Sequence, residues 1–141
     1  MADANNVEQY LLRPIGIVRS SLKRLEDCPK QNQDGAADAW VEIDPTFTEG
    51  LECLTPGCKV ILITWLHKAC RNVLRVHPRG NPDAPLCGVF ATRSPDRPNP
   101  LGLHRVEVLE IKEKGLFRIR ALEVLDGTPV IDIKPGISGS D

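Results

Sequence analysis

The chain has 141 residues, of which 41% are hydrophobic and 26% charged, and its formal net charge at pH 7 is −1. This length suits one domain with one hydrophobic core, and the composition excludes collagen-like, disordered and coiled-coil proteins. Because the net charge provides no overall attraction for nucleic acid, any contact with RNA must come from a local basic patch.

The start of the chain, Met1 to Gln9, is polar, and no apolar run approaches the roughly 18 residues of a membrane helix. The five cysteines are odd in number and form no CxxC pair, which argues against a disulfide framework and a tetrahedral zinc site. His77 and His104 also lack a second histidine at metal-binding spacing. We therefore expect a cytoplasmic protein without a membrane segment or a metal.

Strands are expected to predominate. Segments rich in Val, Ile, Leu and Phe and bounded by turn residues predict strands at 15–19, 39–43, 60–65, 88–91, 101–111 and 116–125. In the fifth segment Val106 and Val108 alternate with charged residues, so one face is predicted to be buried. The alternation slips at Leu109, and again at Leu122 in the sixth segment, which predicts the bulges or bends of a small barrel.

Helical signals are weak. Short helices are predicted at 47–54, with Thr48 as N-cap, and at 67–76. Twelve prolines and eleven glycines disfavour long helices, and the absence of GxGxxG, GxxxxGK[ST] and GxSxG motifs excludes Rossmann, P-loop and α/β-hydrolase folds. We expect a mainly β, barrel-like single domain at 11–136 with short helices, between flexible termini at 1–10 and 137–141.

Loop segments carry the candidate functional residues. Residues 88–102 read GVFATRSPDRPNPLG, in which prolines fix an extended backbone from which Arg93 and Arg97 project. Such a loop loses little conformational entropy when it binds a small polar ligand, although a purely structural corner is the alternative. Six basic residues lie within thirty positions, and they are either an RNA contact or a solvated face: Lys68, Arg71, Arg75, Arg79, Arg93 and Arg97.

Residues 125–135, LDGTPVIDIKP, begin with a turn at Asp126 and Gly127 and continue as a short apolar run. A plain hairpin turn is one interpretation. The alternative is a functional one, because the carboxylates of Asp126 and Asp132 can accept from ribose hydroxyls or take a proton from an amine.

Taken together, these segments resemble the TsaA-like family, also called TrmO. The resemblance is carried by Pro14-Ile15-Gly16, Pro29-Lys30-Gln31, Trp65-Leu66-His67, Val76-His77-Pro78-Arg79 and the segments 88–103 and 125–135. It implies a non-Rossmann, barrel-like homodimer that binds S-adenosylmethionine near the subunit interface. The activity that it implies is methylation of the exocyclic amine of threonylcarbamoyl-adenosine at position 37 of tRNA.

The resemblance also assigns site residues. The implied cofactor-binding residues are Pro29, Lys30, Gln31, His67, Lys68, Arg93, Leu103, Val124, Leu125, Asp126 and Gly127. Separately from the resemblance, the chemistry of the transfer makes Asp126 or Asp132 the expected catalytic proton acceptor, and Arg71, Arg79 and Arg97 are the expected tRNA-binding residues. The sequence departs from the family pattern at Lys30, which replaces Arg, at His104, which replaces Ser, and at Gly136, which replaces Tyr.

Methyl transfer from a sulfonium mainly requires that the nucleophile is held in line with the methyl group. Two other functions stay open at this point: a regulator that binds S-adenosylmethionine without chemistry, and a methyltransferase of a small molecule. Salt-sensitive tRNA binding separates the tRNA enzyme from the small-molecule enzyme, because phosphate contacts release counterions.

Overall fold

The computed structural model describes residues 8–21, 38–120 and 124–136. The strands in these ranges are β1 Gly16–Arg19, β2 Ala39–Ile43, β3 Lys59–Trp65, β4 Arg75–Val76, β5 Cys87–Gly88, β6 Leu101–Lys112, β7 Leu116–Ile119 and β8 Pro129–Pro135. Antiparallel pairing closes β1-β2-β7-β6-β3-β8 into one sheet, since β8 pairs with both β3 and β1. β4 and β5 form a separate hairpin. The expected mainly β, barrel-like fold is confirmed.

The core fills the interior of the closed sheet. Alternate residues of each strand point inward, as Val60, Leu62 and Thr64 do on β3. The largest buried side chain is Phe117 on β7, which is 1% exposed. Because β8 pairs with both β3 and β1, the six-stranded sheet closes and its two edge strands pair with each other instead of inviting association.

The bulge predicted at Leu109 is confirmed. The register of β6 with β7 shifts between Val108, which pairs with Ile119, and Glu110, which pairs with Arg118. The extra residue bends β6, and this bend lets the twelve-residue strand pair with β3 along its first half and with β7 along its second.

Two strand predictions were wrong in part. Segment 88–91 is extended only at Gly88, because Val89–Ala91 turn into a short 3₁₀ helix whose Val89 carbonyl accepts from Thr92 N–H. In segment 116–125 the strand ends at Ile119, and Val124 and Leu125 belong to no strand but precede the turn at Asp126 and Gly127. Residues 121–123, with the slip at Leu122, lie outside the described residues. β8 was predicted only as an apolar run.

The predicted helices also differ from the observed elements. The helix expected at 47–54 is a 3₁₀ helix over Pro45–Leu51, whose N-cap is Asp44 rather than Thr48 because the Asp44 carboxylate accepts from Thr46 N–H. Residues 67–76 form turns followed by β4, since the Cys70 N–H bonds to Asp96 instead of a helical carbonyl. No helix in the described ranges is long and apolar enough to cross a membrane.

Candidate functional site

One end of the closed sheet gathers the candidate loops. At this end, called the loop end below, β1, β3 and β7 finish and β2, β6 and β8 begin, because every neighbouring pair is antiparallel. The connections there are 20–38, 66–100 and 120–128. The opposite end carries the 44–58 and 113–115 connections. Function-bearing residues in small domains are typically found on such loops, held by the rigid sheet.

Most predicted site residues belong to the loop end. His67, Lys68 and Arg93 lie in the 66–100 connection, and residues 124–127 lie in the 120–128 connection. Pro29, Lys30 and Gln31 lie outside the described residues, but in sequence they belong to the 20–38 connection. The first residue of this connection, Ser20, donates its main-chain N–H to the Asp126 carboxylate. The fold therefore brings together segments that are far apart in sequence.

The turn before β8 is tied to the end of β1. The Asp126 carboxylate accepts from Ser20 N–H at 2.9 Å, and Gly127 N–H donates to the Val18 carbonyl at 2.7 Å. Gly127 has a φ of 88°, in the left-handed region that favours glycine. Val124 and Leu125 are buried, so we expect these two residues to meet a ligand through their main chain.

Leu103 and Asp132 lie on the outer face of the sheet, not on its loops. Both pair with Ile63 of β3, so Asp132, Ile63 and Leu103 form one row across three strands. Further along the same face, towards the loop end, Trp65 and Leu101 pair and form a second row. Leu101 and Leu103 are nearly half exposed, which leaves an apolar strip beside the loops.

Two of the predicted tRNA-binding arginines bind the protein's own loops. The Arg97 guanidinium donates to the carbonyls of Val89, Thr92 and Ser94. The Arg71 guanidinium donates to the Pro98 carbonyl and the Asn99 side chain and lies 5.0 Å from the centre of the Trp65 ring. Their expected contact with tRNA stays a prediction, whereas their contacts with the loop are observed.

Other cations at the loop end face solvent. Lys68, Arg75, Arg79 and Arg93 are exposed, and within the described ranges none of their side chains makes a hydrogen bond or an ion pair. The 66–100 connection holds six Lys and Arg residues but only two acidic ones, Asp83 and Asp96. This local excess of positive charge provides an attraction for phosphate that the whole chain lacks.

A polar pair, the buried Thr64 and the partly buried His104, lies inside the sheet beneath the loop end. The His104 ring accepts or donates through Nε2 to the Thr64 hydroxyl at 2.9 Å. Burial lowers the pKa of His104 to about 4, so the ring is neutral at pH 7. The inward position of His104 follows from the sequence pattern, because His104 continues the alternation of Val106 and Val108 along β6.

The described residues bring no three His, Cys, Asp or Glu side chains together in a way that could hold a metal ion. No role was predicted from the sequence for the Trp65 ring, which lies under the Arg71 guanidinium, or for Asp96, whose carboxylate accepts from Cys70 N–H. The second contact joins residues 26 positions apart, which no local pattern reveals.

Comparison with known proteins identifies the family. Residues 17–141 match the tRNA-methyltransferase O N-terminal domain. A probable S-adenosyl-L-methionine-binding protein of Methanothermobacter thermautotrophicus is 45% identical over 124 residues, covering 88% of each chain. An S-adenosyl-L-methionine-binding protein of Archaeoglobus fulgidus is 43% identical over 88% of this chain and 87% of its own.

Solved structures show the same fold. The crystal structure of TrmO from Pseudomonas aeruginosa superposes with a TM-score of 0.73 at 33% identity, covering 95% of this chain. This chain spans 58% of the length of that TrmO chain. A further crystal structure of TrmO gives a TM-score of 0.75 at 34% identity. The chain therefore belongs to the family of the tRNA-methyltransferase O N-terminal domain, as its resemblance to the TsaA-like proteins indicated.

Proposed function

We propose that this protein binds S-adenosylmethionine at the loop end and transfers its methyl group to the exocyclic amine of (threonylcarbamoyl)adenosine 37 in tRNA. The observation that carries the proposal is the convergence of the described candidate segments, His67, Lys68, Arg93 and 124–127, at one end of the closed sheet. Membership of the family of the tRNA-methyltransferase O N-terminal domain supports methyl transfer from S-adenosylmethionine as the class of reaction.

S-adenosylmethionine is the cofactor, as expected from the sequence. Two relatives that this chain matches over nearly nine-tenths of their length, 88% and 87%, are S-adenosylmethionine-binding proteins. The residues present fit its chemistry. Exposed Lys68 and Arg93 suit the amino-acid carboxylate, and the apolar strip at Leu103 suits the adenine ring.

In the proposed mechanism the protein acts mainly by positioning the acceptor amine against the methyl group of the cofactor. The bound cofactor supplies a cationic leaving group, so the protein must mainly hold the acceptor amine in line and exclude water. The adenine amine is a poor nucleophile because its lone pair is conjugated into the ring, and a carboxylate that accepts its proton helps the transfer. Asp126, at the loop end, and Asp132, on the outer face beside Leu103, are the two candidates for this role.

The tRNA is proposed to approach the same end. Arg79 is exposed, and its charge is available to phosphate, while Arg71 and Arg97 lie in the same connection. A base in an RNA loop is easily turned out of its stack, so the adenine can reach the cofactor at modest cost.

The test combines purified protein, S-adenosylmethionine labelled in the methyl group, and total tRNA, followed by nucleoside analysis. We expect label in modified adenosine 37 and a turnover that falls steeply with salt. The Asp126→Asn and Asp132→Asn variants assign the proton acceptor, because only one should lose turnover while keeping cofactor affinity. Cofactor binding without labelled RNA would instead indicate a regulator or a small-molecule enzyme.

A further inference from the structure

Arg97 is bonded to the main chain of the loop that carries Arg93. Its Nε donates to the Ser94 carbonyl at 2.7 Å, and one terminal nitrogen donates to the Val89 carbonyl at 2.8 Å and to the Thr92 carbonyl. Arg93 stands between two of these acceptors, Thr92 and Ser94. The guanidinium therefore holds the chain on both sides of Arg93.

The held loop is itself fastened to the neighbouring 66–71 segment. Arg97 N–H donates to the Cys70 carbonyl at 3.0 Å, and Cys70 N–H donates to the Asp96 carboxylate at 2.9 Å. Arg71 adds a bond from its Nε to the Pro98 carbonyl at 2.7 Å. These bonds fix the Arg93 loop relative to the segment with His67 and Lys68.

We propose that Arg97 is a positioning residue that sets the main chain around Arg93 and so presents Arg93 to the cofactor. The inference rests on the proposed function. A planar guanidinium presents several N–H donors in fixed directions, so it can bind separate carbonyls that a single ammonium cannot span. Without it, we expect the main chain from Val89 to Ser94 to sample other conformations, and ordering it then opposes ligand binding.

The test uses the Arg97→Lys variant, which keeps the charge and loses the planar fork. S-adenosylhomocysteine affinity, measured by calorimetry without RNA, should fall more than tenfold. Hydrogen exchange should accelerate at the amides of Thr92, Ser94 and Asp96, which are bonded within the loop, and stay unchanged at Leu62 in the core. The matched control is Arg13→Lys, an exposed arginine outside the closed sheet, which should match wild type.

A second measurement separates positioning from general destabilisation. In the Arg93→Ala background, Arg97→Lys should change S-adenosylhomocysteine affinity by less than threefold, because Arg97 acts through Arg93. If Arg97→Lys does not fold, the Arg71→Lys variant provides the same readouts, with an expected fall of about threefold in affinity and faster exchange at Asp96.

A different set of results would show that Arg97 binds tRNA instead of positioning the loop. If Arg97→Lys keeps wild-type affinity for S-adenosylhomocysteine and wild-type exchange while the KM for tRNA rises, Arg97 is a phosphate contact and the inference is wrong. Failure of the wild-type protein to bind S-adenosylhomocysteine would refute the proposed function instead. In that case the exchange experiment still decides whether Arg97 fixes the loop.

Discussion

At the scale of single residues, His104 shows how one inward position sets local chemistry. Its ring contacts Thr64 and lies so near Gly102 that a Cβ at Gly102 would be 2.6 Å from Nε2 and 2.5 Å from the Thr64 hydroxyl. A glycine at 102 therefore leaves room for the pair. Burial of a neutral ring is tolerated because the Thr64 hydroxyl satisfies one of its nitrogens.

The low pKa of His104 predicts a pH-dependent stability. Between pH 6.5 and about 4 the unfolded chain binds a proton at His104 that the folded protein does not bind. Stability is therefore full above pH 6.5 and falls as the pH drops towards 4, by about 2 to 3 kcal/mol. Denaturant unfolding at pH 7 and pH 4.5 measures this loss.

The control for that measurement is His104→Gln, which places an amide near Thr64 in place of the imidazole ring. The amide can still form a hydrogen bond with Thr64, and it does not titrate in this range. Carboxylates contribute equally to both proteins, so the variant should lose about 2 kcal/mol less than wild type on acidification. If both proteins lose the same unfolding free energy between pH 7 and pH 4.5, protonation of His104 does not cause the loss of stability.

Arg93 is the second residue with a measurable consequence. If it contacts the cofactor, Arg93→Ala should remove a charge-assisted hydrogen bond and weaken S-adenosylmethionine binding by about 1.5 to 3 kcal/mol, with melting unchanged. Arg93→Lys should lose most of that affinity too, because it lacks the bidentate fork. Wild-type affinity and turnover in the alanine variant would contradict the assignment.

At the scale of elements, the turn at Asp126 and Gly127 links the 120–128 connection to β1. Thr128 is buried, and both its N–H and its hydroxyl donate to the Leu125 carbonyl, which closes the turn. The positive φ of Gly127 then directs its N–H to Val18. The turn is thus held by hydrogen bonds, from main-chain N–H groups and from the Thr128 hydroxyl.

Gly127→Ala is expected to destabilise the protein by about 1 kcal/mol and to weaken S-adenosylhomocysteine binding. An added Cβ at Gly127 meets nothing within 4 Å, so the effect arises from the backbone conformation alone. The matched control is Gly50→Ala at the opposite end, where a Cβ also meets nothing within 4 Å and φ is not positive. Equal melting temperatures and affinities in the two variants would contradict this account.

At the scale of the whole molecule, the apolar strip bears on assembly. Leu101 and Leu103 of this strip are 44% and 47% exposed, and Leu103 is one of the proposed cofactor contacts. A second copy that covers this strip would exclude water from the site, which agrees with the homodimer expected from the family resemblance.

Sedimentation should therefore give twice the 15.6 kDa mass of the chain. Leu101→Glu should shift the equilibrium to monomers and reduce S-adenosylhomocysteine affinity, because a charge would then be buried at the interface. Arg13→Lys serves again as the neutral control. A mass of 15.6 kDa at every concentration tested would exclude the dimer.

The sequence by itself determined the strands with clear alternation, the bulge at Leu109 and the identity of the loop segments, because these features depend on neighbouring residues and on turn chemistry. The short helix at Val89–Ala91 was not predictable, since apolar letters there fit a strand equally well. The turns at 67–76 likewise depend on Asp96, 26 residues away from Cys70.

Only the tertiary structure decided what the arginines and His104 do. From the sequence, Arg71 and Arg97 were equivalent to the exposed Arg79, because main-chain carbonyls, the acceptors for Arg97, leave no trace in the sequence. Similarly, the pKa of His104 depends on closure of the sheet around it. Local patterns specify which segments form, whereas the partners of each polar group are set by contacts between segments that only the closed sheet brings together.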